Sequence, residues 1–185
     1  NDGTLQSTGD AQVGAVPGTP TVNLTLSGAT LDNNNSDPSL AANRTVFLAA
    51  DSYLQAGWAK SLTVNGLITG AGGLGINWDS GTIVVSAAND YAGNTTIGTA
   101  GPAYWVDNTA NPTLKLGADN ALPHGAGKGH LVFGTSANNN TPTLDLNGHT
   151  LKVNHYWQPD WGDEAWVVYD GGQIVWLGGT LLTIR

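Results

Sequence analysis

The sequence predicts an all-β chain whose short strands wind into the coils of a parallel β-helix, or β-solenoid. Helix signals are almost missing, because the chain has one Glu, six Lys plus Arg, and a Gly or Pro every few residues. Many short runs alternate apolar and polar residues, as half-buried strands do. The corners between them vary in length while the runs stay short, which favours stacked coils. The alternative fold is a β-sandwich or jelly roll.

The candidate strands share a period of two, which places every second side chain on one face. They are Val22/Leu24/Leu26, Val46/Leu48, Leu62/Val64, Ile83/Val85, Leu114/Leu116, Leu131/Phe133, Leu144/Leu146, Leu151/Val153, Trp166/Val168, Ile174/Trp176 and Leu182/Ile184. At roughly 20 to 25 residues per coil, this spacing predicts about seven or eight coils. Asn147-Gly148 is a dipeptide typical of hairpin turns. The Asn-rich corners are expected to form ladders of side chains along the stack.

Length and composition predict one domain with distinct segments. The chain has 185 residues, enough to bury a substantial core. Residues 1–21 are low in hydrophobicity and rich in Gly, Thr and Ser, and we interpret them as an N-terminal arm or cap. An extended strand that docks on a neighbouring subunit is the alternative for this segment. Residues 22–185 form the solenoid domain, with a repeat-like core at 67–154 and an aromatic-rich segment at 155–166.

Charge and hydropathy exclude two classes of partner. The formal net charge is −8, and the six basic residues are dispersed along the chain. Binding to phosphates requires clustered Lys and Arg, so nucleic acid is not an expected partner. No apolar run approaches the roughly 20 residues of a membrane-spanning helix, so membrane insertion is not expected either. The chain has no Cys, which excludes disulfides.

A set of strand and corner motifs recurs in order along almost half of the chain. The motifs are GAGGL at 70–74, GTIVV at 81–85, NDYAGNTT at 89–96, LKLGADNALP at 114–123 and LDLNG at 144–148. Together they resemble the passenger-associated transport repeat, or autotransporter-associated β-strand repeat, of autotransporter-like bacterial surface proteins. The resemblance implies a right-handed parallel β-helix, secretion from a bacterium with two membranes, and display at the outer cell surface.

The chain departs from this family pattern at two places. Residues 99–111 are inserted after the tyrosine corner of the repeat, and the pattern ends after Asn154. The chain also lacks Met and begins at Asn1. We therefore interpret it as a processed or excised segment of a surface protein, or as a self-standing relative.

Aromatic and apolar residues near the C-terminus are the candidate binding residues. The segment HYWQPDWGDEAW at 155–166 combines aromatic rings with carboxylates. Such residues suit a cap or subunit interface, or a glycan-binding surface on which sugar C–H faces stack on rings. The terminal pattern GGTLLTIR predicts self-association by strand addition. The candidate interface or glycan residues are Tyr104, Trp105, Tyr156, Trp157, Trp161, Trp166, Leu182 and Ile184.

Calcium is the one cofactor for which the sequence offers ligands. Asp32, Asp37, Asp160 and Asp163 lie in short segments that contain several oxygen donors. None of these segments matches an EF-hand or a GGxGxDxUx repeat, and solvated turn residues are the competing interpretation. The His residues have no metal-binding spacing and GxSxG is absent. We therefore expect no catalytic residues and no cofactor other than calcium.

The sequence thus predicts a non-enzymatic extracellular structural protein. In this hypothesis the solenoid is a scaffold for surface adhesion, or for self-assembly into a filament or biofilm matrix. The alternative is a glycan-binding adhesin module that uses the aromatics of 155–166. A polysaccharide-degrading enzyme with Asp160, Asp163 and Glu164 as its acids is a third candidate. Expected partners are other copies of the chain and a cell-surface or matrix polysaccharide.

Overall fold

The computed structural model describes residues 3–77, 79–99, 111–134, 141–157 and 167–177. Within these ranges the chain forms short strands and one 3₁₀ helix, Asp10–Val13. None of the described helical structure is long and apolar enough to cross a bilayer. The strands are, in chain order, β1 (Thr4–Gln6), β2 (Thr21–Leu26), β3 (Thr30–Asp32), β4 (Ser39–Leu40), β5 (Arg44–Leu48), β6 (Ser52–Gln55), β7 (Ser61–Val64), β8 (Ile68–Gly70), β9 (Leu74–Asn77), β10 (Thr82–Val85), β11 (Asp90–Tyr91), β12 (Thr95–Thr99), β13 (Thr113–Leu116), β14 (Leu131–Phe133), β15 (Thr143–Asp145), β16 (Thr150–Val153), β17 (Tyr156–Trp157), β18 (Val167–Val168) and β19 (Gln173–Trp176).

The strands stack as a parallel β-solenoid, which confirms the predicted fold class over the sandwich and the jelly roll. Sheet A has the order β1-β3-β6-β9-β12-β14-β17, and sheet C has the order β4-β7-β10-β13-β15-β18. The third face consists of sheet B, β2-β5-β8-β11, and sheet D, β16-β19. Every described strand pair is parallel. The chain therefore visits the three faces in turn.

The predicted number of seven or eight coils is wrong, because the structure contains about six turns. Leu54 pairs with Ile76 and Ile76 pairs with Ile97, so these coils have 22 and 21 residues. Ile97 pairs with Phe133, so the next coil has 36 residues. That coil contains the insertion at 99–111 and the long corner that follows β13. A longer coil uses more chain, and fewer coils fit into the same length.

The core consists of rows of aliphatic side chains that lie in register from coil to coil. Sheet A contributes Leu31, Leu54, Ile76, Ile97 and Phe133, and each is at most 1% exposed. Sheet C contributes the equally buried row Leu62, Ile83, Leu114 and Leu144. Burial of each side chain contributes about 1.5–3 kcal/mol. The predicted strands are confirmed at β2, β5, β7, β10, β13, β14, β15, β16 and β19.

Asn side chains at the corners hold neighbouring coils together, although not as the predicted ladder. Asn89 accepts a hydrogen bond from the Ile68 amide (2.7 Å) and donates one to the Ala121 carbonyl (2.7 Å). Asn147 donates to the Leu116 carbonyl (3.0 Å). Among the described residues, these corner amides therefore bind backbone groups of other coils instead of stacking on each other. A ladder of polar side chains does exist at the C-terminal ends of the sheet A strands. There Gln6 donates a hydrogen bond to Asp32, and Asn77 donates one to Gln55.

The Asn147-Gly148 turn has the backbone angles that this dipeptide adopts in hairpins, but it forms a corner of a coil instead of a hairpin. Both residues have positive φ, 49° and 79°, as in the two-residue turns of hairpins. The turn joins β15 of sheet C to β16 of sheet D, so it forms a corner of a coil. The strands on either side of it do not pair.

The tyrosine corner of the repeat motif is part of the core. Tyr91 is fully buried, and its register partner in the preceding coil is Gly70, which has no side chain. The Tyr91 Oη lies 2.5 Å from Thr95 Oγ1. Burial raises the pKa of the Tyr91 hydroxyl well above its ordinary value, and the bond to Thr95 offsets only part of this effect. The motif thus places a neutral phenol between two coils.

The N-terminal segment lies against the first coils through a buried arginine. β1 pairs with β3, and Val13 of the 3₁₀ helix packs against the core. The Arg44 side chain is fully buried and its Nε lies 2.7 Å from Asp10 Oδ1. Its guanidinium also donates to the carbonyls of Asp10, Val13 and Gly14 and to the Asn23 side chain. Arg44 therefore fixes the 3₁₀ helix over the end of the core.

Replacing Arg44 with Met is expected to lower the free energy of unfolding by about 3–5 kcal/mol, the usual cost of removing one member of a buried pair. Asp10 and three carbonyls would lose their donor in the variant. Urea denaturation measures the change. Lys60→Met is the matched control, because its partner Asp37 is 53% exposed. The control should leave the midpoint almost unchanged, and equal midpoints for both variants would contradict the role of Arg44.

Tyr91→Phe is expected to change how stability depends on pH. Because its pKa is raised in the folded state, neutral Tyr91 contributes stability below its unfolded pKa, and this contribution is lost as pH rises beyond about 10. At pH 7 the variant should be less stable by about 1 kcal/mol, since it lacks the bond to Thr95. Above pH 10 the difference should narrow or reverse.

Denaturation curves from pH 7 to about pH 11 test this, since that range spans the ordinary pKa of tyrosine. Tyr53→Phe, at a half-buried position on sheet A, is the control and should keep the wild-type loss of stability at high pH. A constant difference between wild type and Tyr91→Phe across this range would argue against a buried neutral phenol.

Candidate functional site

A groove of about 350 Å³ lies on the outside of the solenoid where the chain enters sheet A. Three consecutive coils form it, those of β6, β9 and β12. Its lining residues are Asp51, Tyr53, Gly73, Leu74, Gly75, Gly93, Asn94 and Thr96. We call this feature the sheet A groove.

The register of the three strands produces the shape of the groove. Tyr53 pairs with Gly75, and Gly75 pairs with Thr96, so the three residues form one outward-facing row. Neighbouring strands lie about 4.8 Å apart, so the Tyr53 and Thr96 backbones are about 9–10 Å apart. Gly75 contributes no side chain to the row between Tyr53 and Thr96.

Close packing of glycine corners forms one end of the groove. A Cβ on Gly93 would lie 2.5 Å from the Gly73 nitrogen and 2.6 Å from its Cα. A Cβ on Gly73 would lie 2.7 Å from the Asn94 carbonyl oxygen. A residue with a side chain would not fit at these distances, so no side chain projects from the surface at Gly73 and Gly93. The side chains of Asp51 and Asn94, which are both exposed, stand on either side of it.

Both of these polar side chains are anchored by one atom. Asp51 Oδ1 accepts a hydrogen bond from the Gly73 amide (2.7 Å), and Asn94 Oδ1 accepts one from the His130 amide (2.9 Å). Among the described residues, the second polar atoms, Asp51 Oδ2 and Asn94 Nδ2, have no protein partner. The hydroxyls of Tyr53 and Thr96 have none within the same ranges. The groove therefore offers fixed donors and acceptors to a ligand.

The groove contains one charged group among its lining residues, the carboxylate of Asp51. Lys128 belongs to the next corner of the stack, where Gly129 lies against Gly93. Its Nζ is paired with Asp90 Oδ1 at 2.5 Å. The local charge is therefore negative, which disfavours an anionic ligand.

The two described calcium candidates have protein partners. Asp32 is 8% exposed and accepts hydrogen bonds from Gln6 Nε2 (3.0 Å) and the Asn34 amide (3.1 Å). Asp37 is exposed and accepts from the Ser61 amide (2.8 Å) and Lys60 Nζ (3.0 Å). The Ser61 bond, followed by the Lys60 bond, lowers the pKa of Asp37.

The described ranges contain no group of three or more Asp, Glu, His or Cys suited to a metal ion. A calcium site at Asp32 and Asp37 stays a prediction, and neither carboxylate belongs to such a group within the described ranges. Asp160 and Asp163 lie outside those residues.

Most of the predicted interface or glycan residues also lie outside the described residues. These are Tyr104, Trp105, Trp161, Trp166, Leu182 and Ile184. Tyr156 and Trp157 form β17, which pairs with β14 at the edge of sheet A. The aromatic surface of 155–166 therefore stays a prediction.

Sequence reasoning missed the sheet A groove. Asn94 and Thr96 belong to the NDYAGNTT motif, but the motif alone does not show that they face a ligand site. Asp51 and Tyr53 lie in a segment without alternating apolar residues, and Gly75 stands between Leu74 and Ile76, a short pattern that was not among the predicted strands. Their proximity depends on the register of three coils, which no local pattern specifies.

Trp58 is a second exposed feature, in the corner between β6 and β7. It is 78% exposed, and the next residue, Ala59, has a positive φ of 56°. Trp58 is not among the residues that line the sheet A groove. Trp58 therefore serves below as a control position.

Comparisons with protein-family models, with curated proteins and with solved structures found no match to this chain. The resemblance to the passenger-associated transport repeat consequently depends on the motifs between 70 and 148. The solenoid fold depends on the strand pairing described above.

Proposed function

We propose that this chain is a non-enzymatic extracellular scaffold that supports surface adhesion or self-assembly. The observation that carries the proposal is the continuous core formed by the described residues. One cluster of buried side chains extends from Leu24 to Val153, under parallel ladders on three faces. Such a body is stiff along its axis, because each coil is bonded to the coils before and after it.

The arrangement of side chains supports a display role. Sheet A spans six strand spacings, so the described stack is about 30 Å long. Its sides present polar residues on regularly spaced rows, and the formal net charge of −8 keeps the surface hydrated. The motifs of 67–154 support secretion and display at the outer surface of a bacterium with two membranes. In this proposal, the function of the solenoid is to display its side faces at fixed positions outside the cell.

The last described coil supports association through that end of the solenoid. Leu177 is 46% exposed, and Val168, which continues the row of Lys115 and Asp145 on the outer face of sheet C, is 40% exposed. Ile174 and Trp176 are only partly buried, whereas the rows of the middle coils are fully buried. An incompletely buried coil gains stability when another strand or coil covers it. The first coils differ, because Arg44 holds the 3₁₀ helix over the core there.

Substitutions in the last described coil are expected to reduce self-association. The double variant Val168→Lys, Leu177→Lys adds two charges to the exposed apolar residues of that coil, so it should shift the association midpoint at least tenfold in concentration, or about 1.4 kcal/mol. Sedimentation velocity across a concentration series measures the midpoint, and negative-stain imaging shows the form of the assembly.

Phe47→Lys is the matched control, since Phe47 is 36% exposed on β5 in the body of the stack. It should leave association unchanged if contacts occur at the ends. A wild-type chain that stays monomeric at every concentration would overturn the self-assembly proposal. Equal loss of association in both variants would show that the contact is not confined to the last described coil.

A further inference from the structure

We propose that the sheet A groove is a binding site for a neutral saccharide. The groove is formed by the outward row Tyr53, Gly75 and Thr96 and by the corner residues Asp51 and Asn94. This inference goes beyond the scaffold function, because it gives the side of the solenoid a ligand of its own. It is independent of association through the ends.

The shape of the groove suits a flat ring that carries polar groups on its edges. Tyr53 and Thr96 lie on either side of Gly75 in one row, and all three residues line the groove. The volume of about 350 Å³ lies at the small end of the roughly 300–1,000 Å³ of ligand sites. One or two sugar units of a longer chain fit such an open groove, with the rest of the chain continuing along the surface.

The polar groups match the hydrogen-bonding needs of sugar hydroxyls. Each hydroxyl donates one bond and accepts others, so a sugar requires both acceptors and donors. Asp51 Oδ2 is an acceptor, Asn94 Nδ2 is a donor, and the hydroxyls of Tyr53 and Thr96 do both. The aromatic ring supplies the apolar face on which the C–H groups of a pyranose stack.

Charge selects a neutral sugar over an acidic one. A uronic acid would bring its carboxylate close to Asp51, and no Lys or Arg is among the lining residues to compensate. Lys128 of the neighbouring corner is already paired with Asp90. An entirely apolar ligand is disfavoured as well, because it would remove water from the four polar groups without replacing their bonds.

The site is held in place before a ligand arrives. Asp51 is anchored by the Gly73 amide, and Asn94 by the His130 amide. The Tyr53 and Thr96 side chains rise from strands within the parallel ladder. Because these groups are already ordered, binding loses little conformational entropy at them.

The test is an NMR titration of the ¹⁵N-labelled chain with single oligosaccharides. The neutral probes are the hexamers of β-1,4-glucan, β-1,3-glucan, β-1,4-mannan and α-1,4-glucan, and the acidic probe is hexagalacturonate. At least one neutral hexamer should shift the amides of Gly73, Gly75 and Thr96 in a saturable way below about 10 mM. Hexagalacturonate should bind at least about tenfold more weakly.

Variants of Tyr53 and Asp51 test whether the amide shifts report binding in the groove. Tyr53→Ala should weaken binding about tenfold or more, while Tyr53→Phe, which keeps the ring, should weaken it only about twofold to threefold. Asp51→Asn retains an oxygen that accepts from the Gly73 amide but removes the charge. It should reduce the discrimination against hexagalacturonate to less than about threefold.

Trp58→Ala and Phe47→Ala are matched aromatic controls on other faces, and both should keep the wild-type affinity within about twofold. The amide spectrum of each variant confirms that it is folded. Saturable binding that Tyr53→Ala weakens supports the site. The proposal is overturned if no neutral hexamer gives saturable shifts, if Tyr53→Ala binds as wild type does, or if the shifts centre on Trp58. Support for the saccharide site, or its failure, leaves the sedimentation test of the scaffold unaffected.

Discussion

The fold depends on one constraint, which is that each coil must lie about 4.8 Å from the next along its whole path. Strands meet this requirement easily, but corners do not, because side chains there would separate the backbones. A Cβ on Gly66, Gly72 or Gly81 would overlap the backbone of Arg44, Ala50 or Ala56 in the preceding coil. These glycines allow the corners to stack as closely as the strands. The inward rows then remain in register, and the core is continuous as a consequence.

The same constraint explains the polar groups at the corners and the groove on the side. Corner backbone groups that have no strand partner are bonded instead by amide side chains, as Asn89 bonds Ile68 and Ala121. Where corner glycines lie against each other, as at Gly73 and Gly93, the surface is low. With Gly75 in the adjoining strand, this low corner becomes a groove between ordered polar side chains. The binding site we propose is therefore a by-product of close coil stacking.

The predictability of each face follows from its side chains. Sheet C was predictable because Leu and Val alternate with Thr, Lys or Val in strands such as Thr113–Leu116. Most of sheet A was not, because Ser52 and Thr95 are buried polar residues within its strands. Asp32, Gln55 and Asn77 are also buried there, although they occupy the same alternate positions of their strands as Thr30, Tyr53 and Gly75. The predicted number of coils was wrong because it assumed one average coil length, and an average does not reveal that one coil is much longer than the others.

The groove illustrates why sites on solenoids are difficult to infer from sequence. Each of its three coils contributes two or three ordinary residues, and only their register turns Tyr53, Gly75 and Thr96 into a row. A one-residue shift of β6 against β9 would turn Tyr53 inward and Leu54 outward. The buried Leu54 and Ile76 pair resists such a shift, because exposing either side chain costs about 1.5–3 kcal/mol. The apolar core therefore positions the polar groove, although it contributes no ligand contact of its own.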